Sequence, residues 1–260
     1  MQMGIEAKEL VECMVKPVEC EEAYEVYAFG EGAEVVFTCE HASEEVPPGF
    51  AERMGFRWPE ADSWLRGTHW AYDIGAKVLA LELAACMQSQ LVCARFSRLL
   101  VDPNRPPEAE TIFRNRAEGK AIVMNTNLSP KEREARMRWL YEPFHAAVEA
   151  VVARERRART VLALHTFTPE YEGQRRHVEV GVLFNRDEDL AHRLIEALRR
   201  EGFVVGANEP WSGKDGLIYV AERHAERFGK QAIDIEVRQD LVVDPSFRAR
   251  LTRVVGEALG

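Results

Sequence analysis

The feature that most constrains this chain is an alternation. Short apolar runs of strand character are separated, repeatedly, by amphipathic stretches of helical period. "AEVVFT" (33–38), "SQLVCARF" (89–96), "TVLALHTF" (160–167), "HVEVGVLFN" (177–185), "FVVGAN" (203–208) and "QAIDIEV" (231–237) read as strands. Between them, 67–87 carries apolar residues at Ile74, Val78, Leu81 and Ala85. The stretch 128–157 opens on Ser129 as N-cap before Pro130, with Pro143 expected to kink or interrupt it. Helices are also predicted at 187–202, which has acids in its first turn and Gly202 past its end, at 217–229 and at 244–259. Strands alternating with helices predict an α/β fold: a single domain over 1–260, its mixed, mostly parallel sheet covered by helices on both faces.

Composition narrows the function classes. With 46% hydrophobic and 30% charged residues over 260 positions, the chain can bury a core without a disulfide or metal staple. A net charge of -9 argues against a polyanion-binding surface, so no nucleic-acid partner is expected. The five cysteines are odd in number and form no C-x-x-C pair, which reads as reduced thiol. Glutamates interrupt the apolar residues of "MQMGIEAKELVECMVKPVEC", and no run approaches the length of a membrane span. The expectation is a cytoplasmic protein with no membrane partner; oligomeric state is left open.

Sheets of this kind bind ligands beyond the carboxyl ends of their strands. Several reactive residues fall there: His41 and Glu44 after the first strand, Arg98 after the second, His165 at the end of the third, and Glu236 inside the last. His41 and Glu44, in "CEHASEEVP", have the H-x-x-E spacing, and with His165 they make two histidines and a carboxylate, a catalytic zinc set. Such a metal lowers the pKa of water and polarises a carbonyl; iron, cobalt or manganese also suit these donors. The plainer alternatives are a polar turn at 41–45 and a core histidine at 165. Asp73 reads as a residue orienting a ligand histidine or as a local cap, and Asp73 and Glu45 are the alternatives to Glu44 for completing the metal shell.

Glu236 is either a general base with a pKa raised by apolar neighbours or the ion-pair partner of Arg238, and Asp234, of the same strand parity, is its rival. Arg98 is a candidate donor to an oxyanion. Asn104 and Arg105, in a proline-stiffened loop, are candidates for holding a substrate carboxylate. Arg175 and Arg176 read as surface arginines paired with carboxylates, and His145 and His224 as structural.

"CEHASEEVP", "SRLLVDPNR", "YEPFH", "LHTFTP", "VGVLFNRD", "NEPW" and "IEVRQDL" appear in the order found in the N-formylglutamate amidohydrolase family, which the chain resembles from about residue 34 to about 245. The family is similar in fold to the zinc carboxypeptidases and the aspartoacylase group. The resemblance therefore implies a phosphorylase/hydrolase-like α/β domain with one zinc ion per chain. It implies zinc on His41, Glu44 and His165, Glu236 as general base, Arg98 polarising the carbonyl, and Asn104 with Arg105 on the substrate's carboxylate. The chain departs from many relatives in carrying Glu44 where they have asparagine.

The leading expectation is a zinc-dependent amidohydrolase acting on a small N-acyl amino acid such as N-formyl-L-glutamate. Two rivals share the fold: a carboxypeptidase-like zinc peptidase, and a metal- or ligand-binding protein without turnover.

Overall fold

The computed structural model describes residues 16–260, so Cys13 and the expectations for the N-terminal segment lie outside the described residues. Eight strands form one sheet: β1 (Glu19–Cys20), β2 (Tyr24–Ala28), β3 (Val35–Cys39), β4 (Gln90–Ala94), β5 (Thr160–Phe167), β6 (Val180–Leu183), β7 (Val205–Ala207) and β8 (Gln231–Arg238). Their order across the sheet is β1-β2-β4-β3-β5-β8-β6-β7. The central β4-β3-β5-β8 run is parallel. β2 lies antiparallel on one side of it and β6 on the other. The sheet is thus mixed, as the alternation of strands and helices predicts. From β3 the chain first moves to β4, then crosses to β5 on the other flank. That reversal opens a crevice at the carboxyl ends of β3 and β5.

The eight helices are α1 (Pro48–Met54), α2 (Ala76–Cys86), α3 (Pro130–Arg136), α4 (Glu142–Arg154), α5 (Glu188–Arg200), α6 (Tyr219–Arg227), α7 (Gln239–Val242) and α8 (Pro245–Leu259), counted over α-helix alone among the described residues. One sheet face packs Phe37, Leu162 and Ile235 against Leu79, Leu194 and Leu251 of α2, α5 and α8. The other packs Val36, Val161 and Ala232 against Phe144 and Val148 of α4 and Val220 of α6. Both faces are dry, which is why the central strands read as continuous apolar runs. No helix among the described residues is long and apolar enough to cross a membrane. Cys39 and Cys93 are buried and Cys20 and Cys86 exposed, and all four are free thiols.

Three departures from the sequence reading have local causes. The helix expected over 67–87 begins only at Ala76, because Gly75 sits at φ 84°, a left-handed conformation that the preceding turn requires. Residues 67–75 form turns instead, and that frees Asp73 to face the crevice. Pro143 does not break its helix: a π-helical turn over Met137–Tyr141 joins α3 to α4 and absorbs the missing donor. The β1–β2 hairpin at the sheet edge was not read at all, since its glutamates mask the strand period while suiting an edge. The cap at Ser129 forms as expected, with Glu132 completing a reciprocal capping box.

Candidate active site

Strand parity builds the floor of the site. Register places Thr38, Ala163 and Asp234 side by side on β3, β5 and β8, and His165 beside Glu236 one pleat further along. Side chains two apart share a face, so Glu40, just past β3, joins the row of His165 and Glu236. Gly181 lies opposite Glu236 on β6; a Cβ there would sit 2.1 Å from the Glu209 carbonyl oxygen, so only glycine lets that backbone cross the row.

Two imidazoles and one carboxylate converge above this floor. One donor atom from each of His41, Asp73 and His165 lies within 4.8 Å of the others, and all three residues are buried. Asp73 Oδ2 is 2.9 Å from His165 Nδ1 and 3.5 Å from His41 Nδ1. The Asp73 backbone N–H donates to the His41 carbonyl (2.9 Å), tying the turn after α1 to the end of β3. Each imidazole's other nitrogen meets a further carboxylate: His41 Nε2 lies 2.7 Å from Asp102 Oδ1, and His165 Nε2 lies 3.0 Å from Glu40 Oε2. Asp102 also accepts from Arg98 Nη2 (2.8 Å), and Glu40 from the Thr38 hydroxyl (2.6 Å).

The charges follow from these contacts. Burial alone would drive the Asp73, Asp102 and Glu40 carboxyls up. The two histidines outweigh it at Asp73, Arg98 and His41 at Asp102, and His165 and Thr38 at Glu40, so all three stay ionised. Burial would likewise make His165 neutral, but Asp73 and Glu40 at its two nitrogens raise its pKa well above the usual histidine range. Asp234 is the opposite case. It is 1% exposed, neither carboxyl oxygen has a hydrogen-bond partner, and burial, with Glu40 and Glu236 nearby, raises its pKa well above the usual carboxylate range against the opposing pull of His165. Glu236 reaches the pocket, and burial raises its pKa to about 7.

The donor set fits a divalent metal ion. His41 Nδ1 is buried with no hydrogen-bond partner, a costly state for a polar atom unless a cation takes its lone pair. A ligand histidine whose far nitrogen rests on a carboxylate is the usual supporting arrangement for such an ion, and it occurs here at both histidines.

The pocket above the centre has a volume of about 380 Å³ and is walled by His69, Trp70, Phe167, Tyr171, Trp211 and four arginines, Arg98, Arg105, Arg114 and Arg176. A larger groove of about 770 Å³ at the amino ends of the strands, lined by Glu34, Cys86 and Thr252 among others, has no histidine in its wall.

The residues singled out from sequence are distributed as follows. His41, His165, Glu236, Arg98, Asn104 and Arg105 all line the one pocket. Glu44 does not join them. Residues 42–47 form neither helix nor strand, and the Glu44 carboxylate accepts from the Gly67 N–H (2.5 Å) instead of lining the pocket. Asp73 stands where Glu44 was expected. Glu236 is not paired with Arg238, which binds Asp240 and the carbonyls of residues 176–178. Asn104 is buried, with its amide donating to the Leu217 carbonyl (3.0 Å) and accepting from the Val220 N–H (3.1 Å), so it braces the start of α6. Arg105 Nη1 donates to the Asn104 carbonyl (2.7 Å). Arg175 is exposed, but Arg176 is half-buried in the pocket wall against Phe167, Tyr171 and Trp211, contrary to the surface reading.

His145 and His224 are structural, as expected. They bond each other (2.9 Å), and His145 also holds the Pro103 carbonyl (3.1 Å). Sequence reasoning passed over Glu40, Asp102 and Arg114, and it placed Arg176 at the surface. Glu40 carried a signal, an acid directly following a buried strand; for Arg176 there was none.

A mixed α/β sheet with two imidazoles and a carboxylate converging at its topological switch point is an α/β fold that carries a candidate metal centre. The profile of the N-formylglutamate amidohydrolase family matches residues 33–243, and the chain belongs to that family. Among solved structures, a gene product of Agrobacterium tumefaciens is 32% identical with a TM-score of 0.81, covering 92% of this chain and 94% of its own. An N-formylglutamate amidohydrolase from Ralstonia eutropha JMP134 is 17% identical with a TM-score of 0.67, covering 92% and 98%. Comparison with curated proteins finds no match.

Proposed function

We propose that the chain is a metal-dependent amidohydrolase that removes a formyl or other N-acyl group from an acidic amino acid, with N-formyl-L-glutamate as the reference substrate. The observation that carries this reading is the buried His41–Asp73–His165 donor set, each histidine backed by a carboxylate, beside a glutamate whose pKa lies at about 7. Family membership supports the reaction class.

In this reading His41, Asp73 and His165 hold the ion, with zinc the first expectation. When bound it supplies a Lewis acid for water and for the acyl carbonyl. Glu236 takes the proton of the attacking water on a carboxylate oxygen and returns it to the departing amine as the C–N bond breaks. A base near neutral pKa is matched to both transfers. Arg98, oriented by Asp102 and Asp73, keeps further N–H groups for the developing oxyanion. Arg105 binds the amino acid's carboxylate, and Asn104 holds the loop that presents it.

The test is metal content together with hydrolysis of N-formyl-L-glutamate by the purified protein. Near-stoichiometric metal and release of formate, both abolished in His41→Ala, are expected. Absence of metal after reconstitution with zinc, cobalt or manganese would remove this reading.

A further inference from the structure

Arg105, Arg114 and Arg176 line the pocket from three separate loops, and among the described residues none of them has a carboxylate within 4.0 Å. Arg98 differs, being paired with Asp102 and Asp73. Three guanidiniums without a direct carboxylate partner around one cavity run against the net charge of -9, with Asp102 and Glu236 acting on them only from further away. Half-buried cations without counter-charge are costly, and burial pushes both Arg114 and Arg176 below the usual arginine range. The deficit is met when a ligand brings the negative charge.

The three arginines occupy different depths. Arg105 follows Asn104, whose amide nitrogen is 3.4 Å from His165 Nε2, so it stands close to the centre. Arg114 stacks over Trp70 (5.4 Å). It borders an outer lobe of about 510 Å³ whose walls carry Glu118, Glu170 and Glu172 beside Arg116, so the basic wall of the pocket ends at Arg114. Arg176 stacks over Tyr171 (4.9 Å) and Trp211 (5.1 Å), and its Nη1 donates to the Thr168 hydroxyl oxygen (3.2 Å). Stacking fixes the guanidinium plane and leaves its edge for in-plane binding of a carboxylate.

An N-formyl dicarboxylic amino acid carries two carboxylates, one fewer than the three arginines that lack a direct carboxylate partner. Resting on the amidohydrolase reading above, we propose that the substrate's acyl chain itself ends in a third acidic group, and that Arg114 and Arg176 form the mouth subsite that reads it. The chemistry is unchanged. Water adds to the acyl carbon, the C–N bond breaks, and the proton passes to the amine, so the products are a free dicarboxylic acid and a dicarboxylic amino acid.

The experiment compares kcat/KM of the metal-loaded enzyme on N-succinyl- and N-glutaryl-L-glutamate with N-butanoyl- and N-formyl-L-glutamate. It is repeated in Arg114→Gln and Arg176→Gln, with circular dichroism confirming their fold. A charge-assisted contact is worth about 1.5–3 kcal/mol, so one of the charged acyl chains should exceed the butanoyl compound by about tenfold or more. That ratio should fall to within about threefold of unity in either variant; being a ratio within one protein, it is insensitive to a general loss of active enzyme. If the formyl and butanoyl compounds are hydrolysed as well as the charged ones, the third-charge proposal is overturned and the amidohydrolase reading stands. A charged-chain preference that survives both substitutions overturns the assignment to these arginines. If none of the four is hydrolysed, and none binds in calorimetric titration, both readings fall.

Discussion

Glu40 and His41 are adjacent in the chain yet serve different imidazoles: Glu40 Oε2 lies 3.0 Å from Nε2 of His165, while His41 turns its own Nε2 to Asp102 at 2.7 Å. One dipeptide at the end of β3 thus supplies a candidate ligand and the carboxylate that orients the other ligand. Glu40→Gln is expected to lower metal affinity by about 10–100-fold without changing the number of ions bound. Competition with a chromophoric chelator measures it, and affinity equal to wild type would show that Glu40 does not orient His165.

Asp73 and Glu44 make opposite predictions. Asp73→Ala removes a carboxylate that both histidines approach, so the protein should be purified with little metal. Glu44→Ala loses only a bond to the Gly67 N–H and should retain near-stoichiometric metal. Elemental analysis of both variants decides between them; loss of metal in Glu44→Ala alone would restore the H-x-x-E reading.

The pH dependence follows from Glu236. Burial raises its pKa above the usual carboxylate range, and protonation removes the base form, so kcat/KM should fall on the acid side. Glu236→Gln should lower the rate by about 10²–10⁴-fold and abolish that limb. An unaltered acid limb in this variant would transfer the titration to another group.

The same residue is a stability liability. Its folded pKa, about 7, lies above the ordinary 4.5, so the folded state holds the extra proton between those values. Stability is therefore unaffected below that window and is lost as pH rises through it. Metal-free Glu236→Gln should be more stable than wild type at pH 8, by up to roughly 3 kcal/mol, with the gain shrinking toward pH 5. Urea unfolding at the two pH values checks both the sign and the window.

Asn104→Ala should destabilise the fold as well as the site. It leaves the Val220 N–H and the Leu217 carbonyl without their partner, at a cost of about 1–3 kcal/mol. The shift in denaturation midpoint measures it. An unchanged midpoint would mean that this amide does not brace α6.

Much of the architecture was legible because the central strands are buried on both faces and the helices carry clear caps, Ser129 and Gly202 among them. The strand ends brought His41, His165 and Glu236 into one crevice for the same reason. Asp73 was only an alternative to Glu44 at the centre, because its position depends on Gly75 ending the helical pattern early, a backbone event that apolar period does not reveal. Glu44 was expected at the centre from its spacing to His41, but its carboxylate is taken by the Gly67 N–H, a contact that the spacing does not reveal. Arg114 and Arg176 reach the pocket only through the tertiary packing of two hairpins, which nothing local encodes.

The row formed by Glu40, His165 and Glu236 has a mechanical consequence. Neighbouring strands sit about 4.8 Å apart under ladder hydrogen bonds, so these spacings belong to the sheet and not to loops. The backbone amides beneath the row should exchange with solvent only through global opening, while those of the 116–121 and 170–175 hairpins exchange by local fluctuation. His165 and Glu236 are therefore expected in the slowest-exchanging part of the molecule, while Arg114 and Arg176 sit next to two hairpins expected among the fastest. Changes confined to the two hairpins can then retune what is accepted while the centre keeps its shape.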